Sequence, residues 1–152
     1  MTRYLAIALA TLGVAIARPA QAADVSGVWL TSTADAQVRM AKCGGAMCGT
    51  IIWLRQPTDP RTGQPLTDVK NPDPAKRSRP MIGTQIALGF QPSSQDPGRY
   101  VGHFYNAEDG NTYTGSITQP SADTLHVTGC LLIFCQTQTW TRVEAPSPRR
   151  SR

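Results

Sequence analysis

Residues 99–119, RYVGHFYNAEDGNTYTGSITQ, contain two stretches of alternating side chains separated by a turn. In the first stretch, Tyr100, Gly102 and Phe104 share one face, because successive side chains of a strand point to opposite sides. In the second, tyrosine, glycine and isoleucine alternate with threonine and serine. Gly110 supplies the positive φ that a tight hairpin turn needs. The stretch therefore predicts an antiparallel hairpin with one buried face and one solvent-facing face.

The same alternation of side chains recurs on both sides of this hairpin. Beyond the first twenty-two residues, no long segment has apolar residues at helical spacing. Eight short antiparallel strands joined mostly by tight turns predict an all-β fold, either a small up-and-down β-barrel or a sandwich. A closed barrel removes exposed strand edges. The eight predicted strands are Val25 to Ser32, Ala36 to Lys42, Gly49 to Gln56, Ile82 to Leu88, Arg99 to Asn106, Thr112 to Gln119, Thr124 to Gly129 and Gln136 to Val143.

Two aromatic positions favour the barrel. Gly27 precedes Trp29 in the first predicted strand, and Arg142 follows Trp140 in the last. In a closed meander these strands are neighbours, so Arg142 can lie across the Trp29 ring, a cation–π contact worth roughly 0.5 to 2 kcal/mol. The arrangement resembles the Gly-x-Trp and late-Arg signature of lipocalins and the wider calycin group. We therefore predict structural roles for Trp29, Trp140 and Arg142.

One long connection, residues 57–81, interrupts the pattern and contains six prolines. A structureless loop of that length is unusual in a compact domain, so a lid, a plug or a binding loop with some order of its own is expected. Asn71 or Asp73 can cap a helical turn, since each is followed by a proline suited to the first helical position. We predict a short helix near Pro74 to Ser78.

The chain begins with an apolar stretch that ends in Ala20-Gln21-Ala22, the pattern of a secretory signal peptide over residues 1–22. Cleavage after Ala22 predicts a periplasmic or secreted protein with a single β-barrel domain over residues 23–145. Residues 146–152, rich in proline, serine and arginine, predict a disordered basic tail. The leader and the tail carry much of the net charge of +5, so no nucleic-acid partner is expected.

Several motifs together resemble the domain-of-unknown-function 2147 family of secreted bacterial proteins. The resemblance covers nearly the whole mature chain and implies a calycin-like or lipocalin-like β-rich domain. It brings no established activity, so it assigns no catalytic residue and no cofactor. The motifs that carry it are GVW, KCGGAMCGTIIWL, LTDVKNPDPAKRSRPMIG, EDGNTYTGSI and TLHVTGC followed by QTQTWTRV.

Four cysteines in an exported protein imply disulfides, with three possible pairings. Hairpin geometry favours Cys43 with Cys48 and Cys130 with Cys135, because the ends of a four-residue loop face each other. Chain entropy favours a bridge between the two regions, by about 4.5 against about 2 kcal/mol. The geometric argument is the stronger one here, because cysteines five apart in a straight strand are too far apart to bond.

No catalytic signature and no metal-site spacing occurs in the sequence. Asp68, Asn71 and Arg77 cluster in the long loop with other basic residues, so they are candidate ligand-binding residues, although capping and a solvated basic face are the alternatives. A catalytic function would need Asp68 and Arg77 within hydrogen-bond reach of His103. Catalysis is the third function in order of preference, after binding of a ligand and contact with a partner or a membrane.

The segment LLIF, residues 131–134, places four large apolar side chains where a turn is normally polar. Three arrangements would explain it: the long loop covers the segment, the segment lines a ligand entrance, or it docks to a membrane or a partner. The second makes Phe134 a candidate ligand-binding residue. The leading hypothesis is a non-enzymatic module that binds a small apolar or amphipathic ligand. The alternative is an envelope protein-interaction or membrane-surface module with a solid barrel and no ligand.

Overall fold

The computed structural model describes residues 24–144, which form one closed antiparallel barrel of eight strands. Each strand pairs with the next along the chain, and the last pairs with the first, so the expectation of an up-and-down barrel is confirmed. The predicted leader and the predicted basic tail lie outside the described residues. The strands are β1 Gly27–Leu30, β2 Ala36–Cys43, β3 Ala46–Leu54, β4 Gln85–Pro92, β5 Arg99–Asn106, β6 Asn111–Ser121, β7 Thr124–Leu131 and β8 Phe134–Arg142.

Because the strands alternate in direction, the connections lie at two opposite ends of the barrel. The end that we call the open end carries residues 31–35, 55–84, 107–110 and 132–133. The end that we call the closed end carries residues 44–45, 93–98 and 122–123.

The hairpin of β5 and β6 has an unshifted register from Arg99 opposite Thr118 to Asn106 opposite Asn111. Gly110 lies at φ 77° in its turn, as the sequence requires. On the inner face, a Cβ at Gly115 would lie 2.4 Å from the Phe104 ring. The missing side chain therefore makes room for an aromatic residue of the neighbouring strand.

The barrel closes where Trp29 of β1 pairs with Arg142 of β8. The Arg142 guanidinium lies 4.1 Å from the centre of the Trp29 ring, and its Nη1 donates to the backbone carbonyl of Ser26 at 2.9 Å. A Cβ at Gly27 would lie 2.4 Å from that same Nη1. The glycine two residues before the tryptophan is thus explained by the space that the arginine occupies.

The closing seam is short. β1 pairs with β8 only through Trp29 opposite Arg142 and Leu30 opposite Thr141. Within residues 24–144, no strand pairs with that edge of β8 between Phe134 and Trp140. The upper part of β8 therefore forms one side of an opening into the barrel.

The interior is packed toward the closed end. Its largest buried side chains include Trp29 and Phe90, each with no exposed area, and Trp140 covers the core from the side of β8. The rings of Phe90 and Phe104 pack in a tilted arrangement, with their centres 4.7 Å apart. The other core residues are Val25, Val38, Met40, Met47, Ala87, Ile117, Leu125 and Val127.

Both disulfides close hairpins, one at each end of the barrel. Cys43 is bonded to Cys48 and Cys130 to Cys135, the pairing that hairpin geometry favoured. Each turn has two residues instead of the expected four, because the strand pairs extend to Cys43 opposite Ala46 and to Leu131 opposite Phe134. Cys130 lies directly opposite Cys135, whereas Cys48 lies opposite Ala41 and not opposite Cys43.

The fourth strand also differs from its predicted bounds of Ile82 to Leu88. β4 begins at Gln85 and continues to Pro92. Gly89 has a positive φ of 62°, and the register with β5 shifts between Leu88 and Gln91. Such a β-bulge bends a strand without ending it, so β4 continues through Gly89 to Pro92.

The long loop, residues 55–84, is ordered by its own contacts. Asp73 caps a 3₁₀ helix over Pro74–Lys76, and its side chain accepts the backbone N–H of Ala75 at 3.0 Å. Isolated bridges join Thr58 to Pro65 and Thr67 to Pro80. Among residues 24–144, no helix is both long enough and apolar enough to cross a bilayer.

Candidate functional site

A cavity of about 520 Å³ lies in the barrel interior toward the open end. Its volume falls within the range of about 300 to 1,000 Å³ that is usual for small-molecule sites. Residues of five strands and of the β5–β6 turn line it: Ile86, Phe104, Tyr105, Asn106, Asp109, Tyr113, Val127, Gly129, Leu131, Phe134, Gln136, Gln138 and Trp140.

Aromatic and aliphatic side chains form the deep walls of this cavity. The rings of Phe104 and Trp140 lie 6.5 Å apart, next to the packed core. Gly129 faces open space, since no atom lies within 4 Å of the position that its Cβ would occupy. The cavity therefore has an apolar interior and an unfilled wall on β7.

Polar side chains line the entrance. Gln136 and Gln138 point inward from the exposed upper part of β8, and the Trp140 Nε1 donates to the Gln138 Oε1 at 3.2 Å. On the opposite side, the Asn106 Nδ2 donates to the Asp109 carboxylate at 3.1 Å, and Tyr113 donates a short hydrogen bond to the same carboxylate. An apolar interior with a polar rim is suited to an amphipathic molecule.

The Asp109 carboxylate remains ionised in this setting. Burial by itself raises the pKa of Asp109, but the hydrogen bonds from the Tyr113 hydroxyl and the Asn111 backbone N–H outweigh it and hold the pKa below its usual value. The same hydrogen bond from its hydroxyl raises the pKa of Tyr113. Tyr113 therefore stays protonated and Asp109 charged near neutral pH.

The apolar segment 131–134 stands at the edge of the cavity and is not covered by the long loop. Leu132 and Ile133, the two turn residues, are 91% and 86% exposed. Leu131 and Phe134 are also largely exposed, but both line the cavity. Of the three arrangements considered, the expectation of a covering loop is wrong, because the loop packs elsewhere.

The long loop is fastened to the outer face of β5. Asp68, which has no exposed area, accepts a hydrogen bond from the Tyr105 hydroxyl at 2.6 Å, from the Asn71 Nδ2 at 2.8 Å and from the Arg79 Nη2 at 2.7 Å. The Arg77 Nε donates to the Asn71 backbone carbonyl at 2.8 Å. The polar groups that made these residues candidate ligands are used to hold the loop together.

The structure therefore does not bring the four candidate ligand-binding residues together. Phe134 lines the cavity, whereas Asp68, Asn71 and Arg77 are absent from its walls. Asn71 borders a smaller hollow of about 280 Å³ outside the barrel, together with Lys76 and Arg79. The hydrogen-bond partners of Asp68 do not include His103, so the arrangement that an enzyme would need is not formed.

Most of the cavity residues were missed by reasoning from the sequence. Gln136 and Gln138 occupy inner-face positions of an alternating strand, so their register relative to Trp140 was the available signal. Asp109 and Tyr113 lie in and after a turn, where turn formation explains both residue types without a site. No three His, Cys, Asp or Glu side chains of residues 24–144 are grouped as a metal site.

A solved structure described as "Protein HP1028 from the human pathogen Helicobacter pylori belongs to the lipocalin family" has a similar fold, with a TM-score of 0.64. The two chains are 22% identical, and the similarity covers 80% of this chain and 84% of the other. At this identity the similarity shows a lipocalin-like fold and nothing about a ligand. No curated protein matches the sequence.

Residues 27–142 match the family described as "Uncharacterized protein conserved in bacteria (DUF2147)". The match spans all eight strands of the barrel, from the first residue of β1 to the last of β8. It confirms the resemblance that the sequence motifs indicated, and the chain belongs to the DUF2147 family.

Proposed function

We propose that the protein is a non-enzymatic module of the bacterial envelope that binds a small apolar or amphipathic ligand inside its barrel. The observation that carries this proposal is the cavity of about 520 Å³ at the open end. An eight-stranded barrel is just wide enough either to be filled by side chains or to hold one small ligand. This barrel is filled at one end and unfilled at the other.

The distribution of side chains supports binding of an amphipathic molecule. Phe104 and Trp140 offer apolar surface at depth, and Gln136, Asn106 and Asp109 offer hydrogen-bonding groups at the entrance. Apolar walls give most of the affinity of such sites, while a few polar groups orient the ligand. The missing strand partner beside upper β8 gives a route into the cavity.

The proposed location is the periplasm or the exterior, after cleavage following Ala22. Two disulfides are compatible with this location, since such bonds persist in oxidising compartments. The N-terminal sequence has the charged start, apolar run and small residues of a secretory leader.

Filling the cavity tests the proposal. Gly129→Leu places a side chain in the open space at β7, and the backbone there has no positive φ to oppose it. Gly45→Leu is the matched control, because Gly45 also has open space and no positive φ but lies at the closed end. We expect the apolar probe N-phenyl-1-naphthylamine to bind the wild type and Gly45→Leu, and to bind Gly129→Leu at least about tenfold more weakly.

Native mass spectrometry of the purified protein, with extraction of bound lipids, adds an independent measurement. A folded Gly129→Leu variant that binds the probe as tightly as the wild type would contradict a ligand site in this cavity. So would a wild-type protein that carries no extractable ligand and binds no probe.

The exposed apolar turn favours a second candidate function, contact with a lipid surface. Leu132 adopts a left-handed backbone conformation with a φ of 55°. For a residue with a Cβ this conformation costs roughly 1 to 2 kcal/mol of conformational free energy. Burying Leu132 and Ile133 in an apolar phase would gain about 3 to 6 kcal/mol together. Residues 127–141 contain no charged side chain, so no charge opposes insertion of this turn.

Co-sedimentation with phosphatidylethanolamine–phosphatidylglycerol vesicles tests the second candidate. Ile133→Asp should abolish sedimentation and leave probe binding unchanged, because Ile133 does not line the cavity. Val101→Asp is the matched control, since Val101 is an exposed apolar residue on the outer face of β5. Equal sedimentation of the wild type and Ile133→Asp would contradict this function.

A further inference from the structure

Asp109 stands at the entrance of the cavity, and within residues 24–144 it has no cationic partner. Its carboxylate accepts hydrogen bonds from the Tyr113 hydroxyl, from the Asn106 Nδ2 at 3.1 Å and from the Asn111 backbone N–H at 2.8 Å. These donors are neutral, and so is the Asn111 side chain, which also lowers the pKa of Asp109. No cation therefore neutralises the carboxylate among these partners, and because Asp109 is exposed, a cation from outside the protein can approach it.

Of the eight described aspartates, four form an ion pair with a lysine or an arginine, and Asp109 belongs with Asp24, Asp35 and Asp123 to the four that do not. Asp59, Asp68, Asp73 and Asp96 each lie within 4.0 Å of a lysine or an arginine. Asp109 forms no such ion pair within residues 24–144, even though the backbone of Lys70 contacts the neighbouring Gly110.

The described residues that line the cavity provide no compensating charge. They include no lysine, arginine or histidine, so Asp109 is the one charged residue of the described walls. The carboxylate is ionised near neutral pH, since its hydrogen bonds hold the pKa below the usual value although burial opposes them. The entrance therefore has a negative potential that an anionic headgroup would meet with repulsion.

Aromatic rings add to this preference. Tyr113, which donates to Asp109, and the exposed Phe134 line the outer part of the cavity, whereas Trp140 lies at depth. The face of an aromatic ring attracts cations, and cavities that combine several rings recognise ammonium groups. Aromatic rings and an unpaired carboxylate at one entrance are complementary to a positive charge.

We propose that the ligand is a cationic amphiphile, whose ammonium group lies beside Asp109 and the aromatic rings while its apolar tail enters the barrel. This inference rests on the proposed ligand-binding function and adds the sign of the headgroup charge. Fatty acids and other anionic amphiphiles are disfavoured at this site.

A series of twelve-carbon amphiphiles tests the headgroup preference. Dodecyltrimethylammonium, dodecanol and dodecanoate, each below its micellar concentration, compete with N-phenyl-1-naphthylamine for the wild-type protein. The cation should displace the probe at a concentration about tenfold lower than dodecanoate, with dodecanol between them. Dodecylphosphocholine, which carries the ammonium next to a phosphate, then separates a free amine from a zwitterionic phospholipid headgroup as the source of the cation.

Asp109→Asn should reduce the cation's advantage over dodecanoate to within about twofold. Asp96→Asn is the matched control, because Asp96 is an exposed aspartate in the β4–β5 turn at the closed end. The preference of the wild type should also weaken as salt is raised, a measurement that does not depend on the variant folding.

Three outcomes would overturn the inference. These are dodecanoate binding as tight as that of the cation, an Asp109→Asn variant that keeps the full preference, and a preference that is insensitive to salt. In each case the probe still binds, so ligand binding itself survives. If neither the probe nor any twelve-carbon compound binds, the proposed function fails together with this inference.

Discussion

Replacing Asp68 with asparagine removes the charge at the centre of the buried network that fastens the long loop to β5. The Asp68 carboxylate accepts hydrogen bonds from Tyr105, Asn71 and Arg79 at 2.6 to 3.0 Å. Breaking a fully buried ion pair typically costs about 3 to 5 kcal/mol. Because the Arg79 side chain is still 36% exposed and keeps part of its hydration, we expect a loss of about 2 to 4 kcal/mol in the free energy of unfolding.

Urea denaturation followed by tryptophan fluorescence measures this loss. With a denaturant slope of about 2 kcal/mol/M, the midpoint should fall by about 1 to 2 M. Asp96→Asn, which breaks the exposed pair of Asp96 with Arg99, should change the free energy of unfolding by less than about 1 kcal/mol. Hydrogen exchange at the Asn71 backbone N–H, which donates to the Asp68 carbonyl at 2.9 Å, reports whether the loop detaches before the barrel unfolds.

The pH dependence provides the decisive comparison. Burial alone raises the pKa of Asp68, but the hydrogen bonds from Tyr105, Asn71 and Arg79 outweigh it and hold the pKa below its ordinary value. A lowered pKa means that the stabilisation is present above the unfolded value of about 3.9 and is lost as the pH falls through the folded value. The difference between the wild type and Asp68→Asn should therefore be full at pH 7 and shrink below about pH 4. A loss below about 0.5 kcal/mol at pH 7, or a difference that stays constant into acid, would refute the reasoning.

Arg142→Ala should destabilise the barrel by about 1 to 3 kcal/mol in urea denaturation, because it removes the contact over the Trp29 ring and a hydrogen bond at the seam. Arg39→Ala, at an exposed position of β2, serves as the control. An equal effect of both variants would argue against a special role of the seam. Gly115→Ala should lower the free energy of unfolding by about 1 to 3 kcal/mol, because its Cβ would displace Phe104. Gly129→Ala should not lower it, because Gly129 faces open space. Thermal unfolding that ranks the two variants in the opposite order would contradict the packing described for the inner face of the barrel. Reducing the two hairpin disulfides should lower the free energy of unfolding by about 2 kcal/mol for each bridge, and an unchanged unfolding midpoint would show that the small rings do not constrain the unfolded chain.

Local sequence patterns contained the information for the strands and for most of their connections. The alternation in residues 99–119 predicts β5 and β6, because only one register places Phe104 and Ile117 on the buried face of the sheet. The same reasoning anticipated the contact of Arg142 with Trp29, since closing a meander makes the first and last strands neighbours. The predicted bounds were less accurate in β4, which was expected to end at Leu88. Gly89 forms a bulge there, and the strand continues to Pro92.

The candidate site was harder to find from the sequence. Asp68 and Asn71 looked like exposed ligand groups because they lie in a polar loop, yet the structure buries both against Tyr105, a residue more than thirty positions away. Conversely, Asp109 looked like an ordinary turn residue, and its position at a cavity entrance depends on strands that come later in the chain.

The sequence by itself determined the all-β class and the hairpin order and favoured the observed cysteine pairing, because each of these depends on residues close together along the chain. Only the tertiary structure decided which end of the barrel is filled, where the long loop packs and that the apolar turn 131–134 is exposed. These properties depend on how side chains from all eight strands share one interior volume. Short-range periodicity fixes the face on which a side chain lies, and it does not fix how much of the enclosed space the side chains leave empty.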